Sequence, residues 1–221
     1  MLFASRLNTR PHLAPSLRLS ATVALVVVAL LAAGTAGTLM ALRIGPWAPE
    51  PLPVLWPTPT FSLTDQSGRA FGSADLQGRT ALFSFVYTNC PDTCPLLTAN
   101  MARVQSKLRS QGLLGSRVQL VSITVDPRRD TAAVLREYAS HYAADVDAWR
   151  FLSGEPEAIY QVLWGFKLNT VEVARAFEGA DVVPHSTRFA IVDPQGQVRA
   201  LLPGDEATTD EIVNTLGRVL P

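Results

Sequence analysis

The chain has 221 residues, of which 48% are hydrophobic, and its 19 basic and 19 acidic residues give a formal net charge of zero. Residues 60–221 hold 15 of the basic and 18 of the acidic residues, so this part alone carries a net charge of −3. It has no run of Lys or Arg and no nucleic-acid-binding motif, which excludes nucleic acid as an expected partner. The length suits an N-terminal segment followed by one domain large enough to bury a core.

The N-terminal segment has the pattern of a membrane anchor. Residues 1–19 contain three arginines and no acid, and residues 21–42 carry no charge. A helix of that length crosses a hydrocarbon core of about 30 Å. Positive charge before the apolar run predicts a cytoplasmic N-terminus and a domain on the outer face of the cytoplasmic membrane. We expect a single transmembrane helix over 20–43; the alternative is a cleaved signal peptide, which would also export the domain.

A proline-rich segment follows the predicted anchor. Residues 44–59 include six prolines in 16 positions. Such composition favours extended, semi-rigid conformations. We therefore expect a linker over 44–59 and one folded domain over 60–221.

The first half of this domain predicts a hairpin, a buried strand and a helix. The hairpin has strands near Phe61–Thr64 and Arg69–Phe71 around a turn at residues 66–68. The run "TALFSFVYT", residues 80–88, is continuously apolar and rich in aromatic residues, as in a buried central strand. From Leu96 to Ser110, apolar residues recur at three- and four-residue spacing, which predicts a helix.

The second half alternates strands and helices and ends in a strand pair and a helix. The predicted elements are a buried strand at 117–126, helices at 131–142 and 155–166, a strand pair within 187–203 around a turn at 193–196, and a helix at 210–220. Asp130 is a natural N-cap for the first of these helices. The order predicts an α/β sandwich with a mixed sheet. A cysteine loop between a buried strand and a helix start makes it thioredoxin-like, with the hairpin as an N-terminal addition.

Both cysteines of the chain, Cys90 and Cys94, lie in the stretch "YTNCPDTCP". A helix N-terminus carries partial positive charge, so we expect it to favour thiolate and lower the pKa of a cysteine placed there. An inert disulfide is one interpretation, but a bridge closing so short a loop gains little from chain entropy. Dithiol redox chemistry and metal binding are the other two.

Two features bear on the choice between redox chemistry and metal binding. Three residues separate the cysteines, whereas thioredoxin-type redox motifs usually have two. His185 precedes a core strand expected beside the cysteine strand, while His141 lies on a surface-like helix. Two thiolates and an imidazole suit copper, and zinc lacks a fourth ligand here. Met101 lies on a helix interior, so a methionine-rich copper site is not expected.

The stretches "FSFVYTNCPDTCP", "VDPRRDT" and "PHSTRFAIVDPQGQV", in this order, resemble the Sco/SenC family of copper-binding thioredoxin-like proteins over about residues 58–220. The resemblance implies one copper ion held by Cys90, Cys94 and His185. It also implies a role in building the dinuclear CuA centre of cytochrome c oxidase. The expected partners are the CuA-bearing subunit and an upstream copper donor protein.

The chain departs from the family pattern at two positions. Asn89 stands where the family often has histidine, and Pro184 stands where it commonly has an aspartate before the ligand histidine. That carboxylate would orient the imidazole. Asp181 is a possible substitute.

The residues leave two functions open. One is a metallochaperone that hands copper to the oxidase, and the other is a membrane-anchored thiol–disulfide oxidoreductase acting on cysteines of the oxidase or of other exported proteins. One dithiol can do both, because oxidation to the disulfide expels copper. A peroxide-reducing relative on the same fold matches poorly, although Arg188 is present. Enzymatic activity thus stays undecided.

Overall fold

The structure is a computed structural model that describes residues 23, 25–32, 50–91, 93–168 and 186–221. The chain divides into two units, Met1–Glu50 and Pro51–Pro221. In the first unit, residues 23 and 25–32 are helical. Among the described residues, no helix is long and apolar enough to span a membrane. The predicted anchor, 20–43, falls mostly outside the described residues.

The second unit contains an eight-stranded sheet flanked by helices. Its strands are β1 Trp56–Pro57, β2 Ser62–Asp65, β3 Ala70–Gly72, β4 Thr80–Val86, β5 Val118–Thr124, β6 Trp149–Ser153, β7 Arg188–Val192 and β8 Gln197–Pro203. Its described α-helices are α1 Thr93–Ser110, α2 Ala132–His141, α3 Pro156–Gly165 and α4 Thr209–Gly217. A short 3-10 helix, Ser73–Leu76, follows β3.

The sheet is mixed, with strand order β1-β8-β7-β4-β5-β6-β2-β3. Strands β4, β5 and β6 run parallel, with Phe83 opposite Val121 and Val121 opposite Arg150. Strand β7 pairs antiparallel with β4, and β2 pairs antiparallel with β6. The carboxyl end of β4 therefore lies near the centre of the sheet, between β5 and the start of β7.

Strand β4 contributes to a core on each face of the sheet because successive side chains of a strand point to opposite faces. Phe83 and Phe85 pack on one face against Phe166, which follows α3, with ring centroids 4.9 and 5.2 Å apart. On the other face, Leu82 and Val86 join the cluster formed by helices α1, α2 and α4. The predicted α/β sandwich with a mixed sheet is confirmed.

Three local features differ from the sequence expectation. Trp56 and Pro57, in the predicted linker, form β1 and pair with Val198 and Gln197, because a proline can occupy an edge strand. Strand β6 had no counterpart among the predicted elements. The N-cap of α2 is Thr131, whose hydroxyl accepts from the backbone N–H of Val134 at 3.4 Å. The prediction of Asp130 as N-cap is wrong, because its carboxylate is engaged elsewhere.

Candidate metal centre

The two cysteines meet at the carboxyl edge of the parallel strands. Cys90 follows β4 by four residues, and its N–H donates to the carbonyl of Tyr87 at 3.3 Å. Cys94 is the second residue of α1. Its backbone N–H donates to the Cys90 sulfur at 3.4 Å. The helix start therefore directs an amide at the Cys90 sulfur and places the two side chains side by side.

Neither thiol is part of a disulfide, and the two have different surroundings. Cys94 is 7% exposed, whereas Cys90 is half-buried. Burial raises the pKa of Cys94 to about 12, although a hydrogen bond from the backbone of Tyr87 acts in the opposite direction. The expectation of a lowered pKa is therefore wrong for Cys94, because desolvation outweighs the helix terminus. Burial likewise raises the pKa of Tyr87 to about 12, and its hydroxyl bonds to Cys90.

This asymmetry predicts which thiol reacts first. Thiolate is the nucleophile, so a buried thiol that stays protonated far above neutrality reacts slowly. With iodoacetamide at about pH 8, we expect Cys90 to be modified well before Cys94. Cys94 modification should continue to accelerate as the pH rises towards about 12. Tandem mass spectrometry of the peptide containing both residues measures the order, and faster labelling of Cys94 would contradict the described burial.

A cavity of about 170 Å³ opens over the cysteine pair. Its lining residues come from the cysteine loop, α1 and the segment before β7: Tyr87, Cys90, Pro91, Thr93, Cys94, Leu97, Ser186 and Thr187. Both sulfur-bearing residues thus face one small pocket. The strand order explains why the segment before β7 lines this cavity, because β7 pairs directly with β4. The segment beginning at Ser186 consequently reaches the cysteine pair.

The described residues include two of the three predicted metal ligands. His185, together with Asp181 and Pro184, lies outside the described residues. Across 50–91, 93–168 and 186–221, no group of three or more His, Cys, Asp or Glu is arranged to hold a metal ion. His141 is exposed at the end of α2, and Met101 is fully buried in α1, as expected. Two adjacent thiols in a small pocket suit a soft cation such as Cu(I).

A buried carboxylate tethers the cysteine loop. Asp130, 1% exposed, accepts from the backbone N–H of Thr88 at 3.1 Å and from its hydroxyl at 2.6 Å. It also accepts from the hydroxyl of Thr124, at the end of β5, at 2.6 Å. Sequence reasoning missed this role. The sequence contained a sign of it: Thr88 ends one predicted buried strand, and Thr124 lies near the end of the next one.

A second carboxylate of the "VDPRRDT" stretch lies at the same edge. Asp126 accepts from the Arg129 guanidinium at 2.8 Å, and its N–H donates to the Thr124 hydroxyl at 3.0 Å. Its charge also acts on Tyr87, which lines the cysteine pocket. Asp126 thus lies just after the end of β5, near the cysteine loop.

A larger cavity, of about 650 Å³, lies at the opposite edge of the sheet. It is lined by residues that precede β4 and by the β7–β8 turn, including Gly78, Asp193 and Gly196. None of its lining residues is a cysteine or a histidine. Of these two cavities, the smaller one is lined by both cysteines.

Two cysteines that are not joined in a disulfide lie between a central strand and a helix start, in a mixed sheet covered by helices. This arrangement defines a thioredoxin-like protein whose site can exchange electrons or bind a soft metal. More particularly, the chain belongs to the SCO1/SenC family, whose model matches residues 57–221. This confirms the resemblance found in the sequence.

Individual relatives agree with this assignment. The SCO1 protein homolog of Bacillus subtilis is 31% identical over 165 residues, which cover 73% of this chain and 82% of the relative. BsSco is described as a member of the Sco family of cytochrome c oxidase assembly proteins with a disulfide switch. Its solved structure is 28% identical in sequence to this chain, with a TM-score of 0.64, and the match covers 77% of this chain and 98% of BsSco. Bradyrhizobium japonicum ScoI, solved with copper bound, is 28% identical, with a TM-score of 0.59, covering 74% and 99%.

Proposed function

We propose that this protein is a copper metallochaperone that delivers copper to the CuA centre of cytochrome c oxidase or prepares that centre. In this proposal one copper ion, the cargo, is held by Cys90, Cys94 and His185. The observation that carries it is the pocket that is lined both by the two cysteines and by the segment that begins at Ser186. Consecutive Cα atoms are about 3.8 Å apart, so His185 is adjacent in the chain to a wall of that pocket.

The chemistry of the ligand set supports copper. Two thiolates select the soft cuprous ion, and an imidazole adds a donor suited to both copper oxidation states. Metal binding requires deprotonated thiols, so copper must displace the proton that burial holds on Cys94. The copper-bound Bradyrhizobium relative and the oxidase assembly role of BsSco support the same cargo and partner.

A titration tests the proposal directly. We expect the reduced protein to bind one Cu(I) per chain under anaerobic conditions, because one pair of soft ligands is present. In cells, deletion of the gene should lower assembly of the CuA centre, and added copper should partly restore it. The proposal fails if the reduced protein binds no copper. It also fails if cells that lack the gene assemble the CuA centre normally at low copper.

A thiol–disulfide oxidoreductase is the second candidate. The two adjacent thiols, which are not joined in a disulfide, favour it, because thiolate attack and resolution need only two neighbouring cysteines. BsSco, a relative described as having a disulfide switch, supports this candidate. The partner in this case is again the CuA-bearing subunit, whose cysteines must be reduced before they bind copper. Replacement of His185 separates the two functions, because thiol exchange does not need the imidazole.

We also propose an arrangement in the membrane. Residues 1–19 lie in the cytoplasm, and residues 20–43 form a single membrane anchor. Residues 44–59 link the anchor to the domain and include β1. The domain, residues 60–221, lies on the outer face of the membrane. The uncharged run and the preceding arginines support this orientation. Mass spectrometry of the native protein should therefore find residues 21–42 retained. A mature N-terminus between residues 32 and 43 would instead indicate a cleaved signal peptide.

A further inference from the structure

We propose that Asp130 is a positioning residue that holds the cysteine loop in the geometry required for copper. The copper part of this inference rests on the proposed function. Asp130 lies in the loop between β5 and α2, does not line the cysteine pocket and is almost fully buried. It acts through Thr88, two residues before Cys90.

The contacts of Asp130 join three separate elements. One carboxylate oxygen, Oδ2, accepts from both the Thr88 N–H and the Thr124 hydroxyl, and the other, Oδ1, accepts from the Thr88 hydroxyl. The Asp130 N–H donates to the carbonyl of Asp126 at 3.0 Å, which fixes the turn that presents the carboxylate. The loop after β4 is thus tied to the end of β5 and to the start of α2.

The tether sets the position of one sulfur relative to the other. Cys94 is fixed by α1, whose buried side chains pack under the sheet. Cys90 belongs to no helix or strand; its N–H donates to the carbonyl of the loop residue Tyr87, and its sulfur accepts from the Cys94 N–H. Thr88 lies between Tyr87 and Cys90 in the chain, and its N–H and its hydroxyl both donate to the Asp130 carboxylate. The carboxylate therefore adds a restraint to the Cys90 loop, which lies outside helix and strand.

Preorganised ligands bind a metal more tightly because less ordering is required on binding. Hydrogen-bonding partners of the ligand-bearing segments typically contribute about 10–100-fold to metal affinity. A carboxylate suits this position because it only accepts hydrogen bonds, and all three groups that contact the Asp130 side chain are donors. The charge strengthens these bonds relative to neutral acceptors.

Three variants separate the tether from its charge. Asp130→Ala removes every contact to Thr88 and Thr124. Asp130→Asn keeps a carbonyl oxygen in the place of Oδ2, and the Thr88 hydroxyl can rotate to accept from the new amide. Thr88→Val removes one hydroxyl contact and leaves the backbone contact. The matched control is Thr131→Ala, which removes the N-cap of α2 but no contact to the cysteine loop.

Three readouts are measured, each starting from the reduced full-length protein: the rate of Cys90 alkylation, which needs no copper, the affinity for Cu(I), and the spectrum of the Cu(II) form. The thiolate charge-transfer spectrum of the Cu(II) form reports ligand geometry. For Asp130→Ala we expect several-fold faster alkylation, an affinity lower by about 10–100-fold and a weaker charge-transfer band. Thr88→Val should show smaller changes in the same direction. Asp130→Asn should stay within about threefold of the wild type, and Thr131→Ala should match it.

Several results would overturn the proposal. If Asp130→Asn weakens copper binding as much as Asp130→Ala, the charge matters and not the tether. If Thr131→Ala has the same effect, the start of α2 is responsible. If Asp130→Ala leaves alkylation and affinity unchanged, the contacts have no role. Should Asp130→Ala fail to fold, the asparagine and Thr88→Val variants carry the test. A wild type that binds no copper refutes the proposed function, while alkylation still tests the tether.

Discussion

Replacement of either cysteine by serine is expected to abolish tight Cu(I) binding. A serine hydroxyl stays protonated near neutral pH and is a hard oxygen donor, so Cys90→Ser or Cys94→Ser leaves one thiolate for a soft cation. The loss should exceed the roughly 100-fold upper range typical of residues that only orient a ligand. Competition with a chromogenic Cu(I) chelator, performed anaerobically on reduced protein, measures it.

Ser186→Ala is a suitable control for these variants. Ser186 lines the same cavity, but its hydroxyl accepts from the Arg188 N–H at 3.2 Å and belongs to no predicted ligand set. We expect this variant to keep wild-type affinity. Denaturant unfolding of each protein should show a cooperative transition, so that loss of binding is not loss of fold. Wild-type Cu(I) affinity in either single cysteine variant would refute a two-thiolate site.

Most of the architecture was predictable because its signals are local. The continuous apolar run at 80–88 predicted a central strand, and all seven residues of β4 are buried. The turn at 193–196 was recognisable from Asp193 and Gly196. The Asp193 carboxylate accepts from the N–H groups of residues 195 and 197, and Gly196 has a φ of 75°.

The elements that escaped prediction depend on distant partners. Strand β6 contains Arg150, whose charge interrupts an apolar pattern. In the fold, Arg150 pairs with Asp65 at 3.2 Å and stacks over the Phe71 ring at 5.8 Å. Strand β1 exists because Trp56 pairs with Val198, far along the chain. Neither partner is visible from the local sequence.

The site shows the same division between local and distant information. Spacing and residue type identified Cys90 and Cys94 and their placement at the start of a helix. Local reasoning gave the wrong direction for the pKa of Cys94 because it included the helix terminus and omitted desolvation by the surrounding core. Asp130 was assigned to the nearest helix because its partners, Thr88 and Thr124, belong to other elements.

Replacement of His185 by alanine separates the two proposed functions. Cu(I) can be held by two thiolates alone, whereas Cu(II) depends far more on a harder nitrogen donor. His185→Ala should therefore weaken Cu(II) binding strongly and Cu(I) binding less. Reduction of insulin disulfides should be almost unchanged, because thiol exchange needs only Cys90 and Cys94. Titrations with each oxidation state and the insulin assay measure these effects.

His141→Ala is the matched control, since it replaces an exposed histidine at the end of α2 and should behave as the wild type in every assay. The decisive comparison is in cells grown with little copper. If the protein delivers copper, His185→Ala should lower CuA assembly, and Cys90→Ser should lower it at least as much. If His185→Ala assembles the oxidase normally while Cys90→Ser does not, the thiols act by redox exchange. The histidine would then not be a ligand needed in the cell, and the oxidoreductase would be the function.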